Sequence, residues 1–255
     1  GPYLVQHCGS ALARNLIAES TVDEALQRQL ATHFRLGLFD PQDDQPYAKI
    51  GVDAIDTVEH RALALDAARQ ALVLLKNNHR RSERGGGGGS GGAGSGGGGS
   101  VPSLPLSQAS VSRVAVVGPL ANATTELLGN YFGWPSHVES ILDGVRAEIG
   151  VQGVSFAPGC DLLSPPGSAA IHGKIAAAVR AAAGVDAIVL VVGLNRTIEN
   201  ERHDRSSLLL PGAQHELLSA LSAAAGQASI PLVVVVVAGG AIDLSMPRDD
   251  ANVSA

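Results

Sequence analysis

The sequence predicts an α/β fold, a doubly wound and mostly parallel sheet sandwich that is incomplete at its end and preceded by helical segments. Three observations carry this expectation. Apolar runs rich in Val and Ile, without polar alternation, recur at 113–118, 186–193 and 231–239, and such runs suit strands covered on both faces. Between them lie Ala-rich stretches of helical character, giving the strand–helix rhythm of a wound sheet. Apolar residues make up 45% of the 255, enough to fill a core.

In chain order, residues 21–39 place Val22, Leu26, Leu30 and Phe34 at helical spacing. Thr21 is the expected N-cap, with Glu24 as its capping-box partner, and Gly37 closes the helix. A second helix is expected over 57–76. So many of its positions are Ala or Leu that most of its surface needs protein cover. After Asn78 the composition changes: twelve of the 31 glycines fall in 85–100, behind a basic shoulder at Arg80, Arg81 and Arg84. Such a tract behaves as flexible coil, so 79–103 reads as a disordered insertion.

The strand at 113–118 is followed by a helix over 140–149, a strand at 151–156, a helix over 168–183 and the strand at 186–193. A further helix opens at Pro211, whose ring fits a first turn, and leads to the strand at 231–239. The tail 247–255, PRDDANVSA, departs from this pattern.

Composition also excludes functions. Eighteen Lys and Arg stand against 24 Asp and Glu, a net charge of −6, so no global field gathers phosphate backbones or anionic lipid. The longest apolar run is far shorter than the roughly 20 residues of a membrane span, and the first ten residues lack the pattern of a signal peptide. Cys8 and Cys160 form neither a disulfide framework nor a metal motif. His7, His33 and His60 lack the spacing of a zinc site. Neither metal nor cofactor is expected.

Ligands of wound sheets gather at the carboxyl ends of strands, and two strand-end loops stand out. The first, from Gly118 through Tyr131, has no phosphate-loop motif, and Pro119 removes an amide that a phosphate nest would use. The second runs from Leu194 to Arg205 and holds Glu199, Glu201, Asp204, three arginines and His203. Neighbouring charges of that density can push carboxyl pKa values apart for acid and base work. A surface loop of ion pairs has the same composition. Asn122, Asn195 and Asn252 each begin an N-glycosylation pattern, short enough to arise by chance.

The ordered segments resemble family 3 glycoside hydrolases, nearest the β-xylosidase and α-arabinofuranosidase branch. The resemblance rests on GPYLVQH at 1–7, VDEALQRQLATHFRLGLFDP at 22–41 and EHRALALDAARQALVLLKNN at 59–78. It continues through LPLS at 104, VAVVGPLANAT at 114, LLGNYFG at 127, PGCD at 158, DAIVLVVGLNRTIENERHDR at 186, LLLPGAQHELL at 208 and VVVVAGGAIDLS at 234. It implies that 1–56 are the end of a (β/α)8 barrel, 57–78 a linker helix and 104–246 the C-terminal α/β sandwich. The implied activity is exo-acting and retaining, removing xylose or arabinose from hemicellulose oligosaccharides. Two carboxyl groups do that work. The resemblance puts the nucleophile, an aspartate, in the barrel before Gly1, and the acid/base in the 199–201 segment. Glu199 is the first choice and Glu201 the second, with Asp204 and Arg205 as an ion pair that fixes the loop. The implied partners are an oligosaccharide and the barrel, and the implied location is extracellular or the cell wall. A β-glucosidase, a non-catalytic sugar- or protein-binding module and a Rossmann-like nucleotide binder are the competing readings.

Overall fold

A computed structural model describes residues 2–80, 101–107 and 109–255, which divide into two units, Gly1–Arg69 and Gln70–Ala255. The first unit holds helices α1 (Pro2–Ala13) and α2 (Glu19–Arg35) and most of α3 (Val58–Ala71). None of the three buries a residue. Helix α2 starts after Ala18, three residues ahead of the expected Thr21 cap, and Glu19 in its first turn meets the positive end of the helix. It ends as expected, with Gly37 at φ +72° and the Leu38 N–H donating to the His33 carbonyl.

Helix α3 stops at Ala71, five residues short of the expected end. The chain just beyond is held by the second unit. Lys76 Nζ donates to the carbonyls of Pro247 (3.2 Å), Arg248 (3.0 Å) and Asp250 (2.7 Å). Asn77 exchanges two hydrogen bonds with the Leu104 backbone, both 2.9 Å. These partners need an extended chain, which overrides the helical propensity of 72–76. Leu63 and Leu65 of α3 are exposed, so the cover expected around them is not made within the first unit.

At the two edges of the stretch read as an insertion the structure places a short ladder. Strand β1 (His79–Arg80) pairs antiparallel with β2 (Val101–Pro102), and Ser103 Oγ donates to the Asn78 carbonyl at 3.1 Å. The glycine tract itself lies outside the described residues.

Beyond it stands a four-stranded, all-parallel sheet in the order β4-β3-β5-β6, from β3 (Val114–Val117), β4 (Val154–Ala157), β5 (Ala187–Gly193) and β6 (Leu232–Val237). Alternation along the strands feeds two cores. Ala115, Val117, Ile188, Leu190, Val192 and Leu232 face α5 (Ala169–Ala181) and α6 (Gln214–Ala228). Val114, Val116, Ala187, Val189, Val191 and Val233 pack on the other side with Leu142 of α4 (Ile141–Ile149). All seven residues of β5 are buried. The two-sided cover predicted from unbroken apolar runs is what the structure builds.

Helix starts follow local chemistry. Ser140 caps α4 in a capping box with Asp143, and Ser168 caps α5. Helix α6 opens at Gln214 rather than Pro211, because Gly212 at φ +63° turns the chain close under the Leu162 carbonyl before the helix can begin. The expected strand at 151 begins at Val154, since 151–153 form a 3-10 turn.

The tail does not abandon the sheet. After α7 (Ser245–Asp249), Val253 makes a parallel bridge to Leu232, and Ala255 accepts from the Val234 N–H at 2.7 Å. Val253 enters one core and Ala255 packs against the other, with Ser254 buried between them, so a short alternation among polar neighbours hides the pairing from a pattern search.

Strands β3 and β5 begin under one carboxylate. Asp186 Oδ2 accepts from the backbone N–H groups of Ser112 (2.9 Å) and Arg113 (2.8 Å) and from Ser112 Oγ (3.1 Å). These bonds, led by the Ser112 amide, hold the carboxyl below the ordinary Asp range. A depressed carboxyl stabilises the fold above the unfolded pKa of about 3.9, and that stability is lost as pH falls through the folded value. The urea midpoint of Asp186→Asn should therefore lie below wild type at pH 6 and converge with it as pH drops below about 4. A gap that is constant with pH would contradict this.

Candidate active site

Strand β3 has β4 on one side and β5 on the other, so the winding reverses between β3 and β5, where wound sheets place ligands. A cavity of about 740 Å³ lies at this end, lined by Leu127, Gly129 and Asn130 after β3, by Asn195, Glu199 and Arg205 after β5, and by 237–239 after β6. The backbones at the ends of β3 and β5 approach closely. Gly118, at φ +126°, sits where an added Cβ would fall 1.9 Å from the Val191 carbonyl oxygen.

The 194–205 loop has a folded interior. Asn195 Oδ1 accepts from the Thr197 N–H (3.1 Å) and hydroxyl (2.6 Å), a local turn of the kind Asn favours. Asn200 and His203 exchange backbone hydrogen bonds at 3.2 and 2.9 Å, with Arg202 left-handed at φ +70° between them. Glu201 and Arg202 thus form the tip of a tight turn.

Arg205 anchors the loop from inside. Its Nε donates to Glu199 Oε2, one Nη to the Ser207 carbonyl at 2.7 Å and the other to the Ala241 carbonyl at 2.5 Å. Only 11% of the Arg205 side chain is exposed, against 29% for Glu199. The ion pair expected within Asp204 and Arg205 is instead made by Glu199 and Arg205. Adjacent side chains project in different directions, while a turn returns position 205 to face 199. The other Glu199 oxygen packs over Gly240, where an added Cβ would fall 2.2 Å away. Asp204 lines the cavity beside the pair.

Glu201 behaves differently. It is exposed, and its Oε2 accepts from the phenol of Tyr131, itself 87% exposed on the loop after β3. The neighbouring Arg196 guanidinium stacks 5.1 Å over the Phe132 ring and donates to the Gly129 carbonyl at 3.4 Å. The β3 and β5 loops are therefore joined at two points. The sequence reading missed Tyr131 and Gly240, although both lie in segments that carry the family resemblance.

Cys160 is buried, and burial pushes its thiol up to about 11, the opposite of a nucleophile's requirement. Among the described residues no cluster of three His, Cys, Asp or Glu side chains is placed to hold a metal, and no helix is long and apolar enough to cross a membrane.

Residues 72–255 match the model of the glycosyl hydrolase family 3 C-terminal domain. A β-xylosidase/α-L-arabinofuranosidase of Medicago sativa is 35% identical over the whole chain, which covers 29% of that relative. A β-D-xylosidase of Arabidopsis thaliana is 35% identical over 98% of the chain and is covered to 28%. An exo-β-xylosidase solved with a xylobiose aziridine probe superposes on 97% of the chain with a TM-score of 0.79 and 33% identity, and is covered to 28%. A β-glucosidase from intestinal bacteria is similar at 26% identity and a TM-score of 0.70. The chain thus spans under a third of these relatives.

The packing of Glu199 over Gly240 carries a test. Gly240→Ala should displace the Glu199 carboxylate and weaken its bond to Arg205, for an expected loss of about 1 kcal/mol in urea unfolding. Gly239→Ala, whose Cβ would meet nothing within 4 Å, should change stability by less than about 0.5 kcal/mol. In a Glu199→Ala background the Gly240→Ala loss should largely vanish. Equal losses at the two glycines would refute the contact.

Proposed function

We propose, because this chain belongs to glycosyl hydrolase family 3 and carries its C-terminal domain, that it supplies the acid/base half of a retaining exo-β-xylosidase site. The observation that carries the reading is the pairing of that family match with a prefolded loop, at the sheet's switch point, that sorts two glutamates by environment. Relatives named β-xylosidase match at 33–35% identity, above the 26% of the intestinal β-glucosidase, which favours xylosides over glucosides.

The sorting favours Glu201 as the proton donor, reversing the order taken from sequence. Glu199 has one carboxylate oxygen bonded to Arg205 and the other packed over Gly240, and its side chain is only 29% exposed. A bond cleaved between this domain and a nucleophile carried elsewhere needs a carboxyl that projects outward, as the exposed Glu201 does. In the first step Glu201 gives its proton to the glycosidic oxygen as the C1–O bond breaks and an aspartate of the barrel bonds to C1. In the second it takes a proton from water as the water oxygen displaces that aspartate, restoring both carboxyl groups with configuration retained. The Tyr131 phenol, donating to Glu201, orients the carboxyl and turns its other oxygen outward. Glu199, Arg205 and Asp204 shape the loop that presents it.

The 255-residue chain alone should show no turnover of an aryl β-xyloside. Fused behind the barrel of the Medicago relative, it should hydrolyse both aryl β-xyloside and xylobiose. In that fusion Glu201→Gln should lower kcat on xylobiose by about 10²–10⁴, and far less on an aryl xyloside whose leaving group needs no proton. Turnover by the chain alone, or equal losses on both substrates, would contradict the reading.

A further inference from the structure

We infer that Gln214 is the positioning residue that closes the neck of the 194–210 loop, holding the loop's entry and exit with one buried side-chain amide. The inference rests on the reading of this loop as catalytic only for its effect on turnover. Its structural content stands on the contacts alone.

The need arises from unequal strand lengths. Strand β3 pairs with β5 only as far as Val117 opposite Leu190, whereas β5 continues to Gly193. In a parallel strand successive residues direct their backbone groups to alternate neighbours. The N–H groups of Ile188 and Leu194 go to the Pro231 and Val237 carbonyls, on the β6 side. Gly193, of opposite parity, therefore aims its N–H and C=O toward β3, where no strand remains. An unpaired backbone group costs about as much as a lost hydrogen bond when buried, and Gly193 is buried.

Gln214 stands in for the missing strand. Its side-chain oxygen accepts from the Gly193 N–H at 2.8 Å, and its Nε2 donates back to the Gly193 carbonyl at 3.0 Å. The same Nε2 donates to the Pro211 carbonyl at 3.1 Å. Gly193 is the last residue before the loop and Pro211 the first after it, so a side chain with no exposed surface ties both ends to the start of α6. Only an amide of this length serves. Glutamate keeps the acceptor but has no N–H for either carbonyl, Asn is a methylene short, and an apolar residue leaves three backbone groups unpaired.

The test is amide hydrogen exchange of the full chain, comparing wild type with Gln214→Met and Gln214→Glu. Exchange at Ile198, Glu199, Asn200 and His203 should quicken by at least about tenfold in the Met variant and by less in the Glu variant. Amides of Val114 to Val117 should stay within about twofold. Unchanged loop exchange, or an equal rise in loop and sheet, would overturn the inference. If neither variant folds, wild type decides. Protection of the Gly193 amide should match that of His203 within about threefold, and protection equal to that of β3 would overturn the claim. In the barrel fusion Gln214→Met should lower kcat by at least about tenfold with KM within about twofold, since Gln214 is not among the residues that line the cavity. A loosened loop with unchanged kcat would support the role of Gln214 and sink the catalytic reading of the loop.

Discussion

The geometry of the site turns on the Arg205 guanidinium. It is nearly buried, and its three donors reach the Glu199 carboxylate, the Ser207 carbonyl on the returning limb and the Ala241 carbonyl after β6. A planar, permanently charged fork can satisfy three acceptors in fixed directions, which a lysine cannot. Hydrogen bonds to charged groups contribute about 1.5–3 kcal/mol each, enough to hold a short polar loop that buries little apolar surface. With Glu199 paired to Arg205, Glu201 stands exposed at the loop's tip and Asp204 is exposed beside the cavity.

Beneath that contact lies the constraint of the sheet. Strand β5 is buried on both faces and longer than its neighbour β3, so its end must be finished by something other than a strand. Gly118 makes a close backbone approach on the β3 side, Gln214 completes the last residue, and Tyr131 and Arg196 join the two strand-end loops. Each is a local answer to a backbone or charge left unpaired where the strands stop. Together they join the loops after β3 and β5 into one platform that carries Glu201 at its surface, the kind of preorganisation that the proposed role of Glu201 requires.

Much of the fold was legible in the sequence because it rests on periodicity. The unbroken Val runs of β3, β5 and β6 announced burial on both faces, and Ser140 and Ser168 announced helix starts. What stayed hidden depended on partners distant in sequence. The end of α3 is set by carbonyls about 170 residues away that draw Lys76 out of the helix. The pairing of Val253 with Leu232 lies in a short tail whose polar residues mask it. In the site, the charged loop after β5 was identified from its composition. Which carboxylate faces Arg205 was not, because that depends on a left-handed Arg202 and on Gly240 in the loop after β6.

The central claim is the division of labour between Glu199 as loop anchor and Glu201 as proton donor and acceptor. Azide separates the two, because an anionic nucleophile attacks a glycosyl-enzyme without needing a base. In the barrel fusion acting on an activated aryl β-xyloside, azide should accelerate Glu201→Gln by at least about tenfold and yield β-xylosyl azide, and leave Glu199→Gln unrescued. Rescue of Glu199→Gln with none for Glu201→Gln would contradict the account.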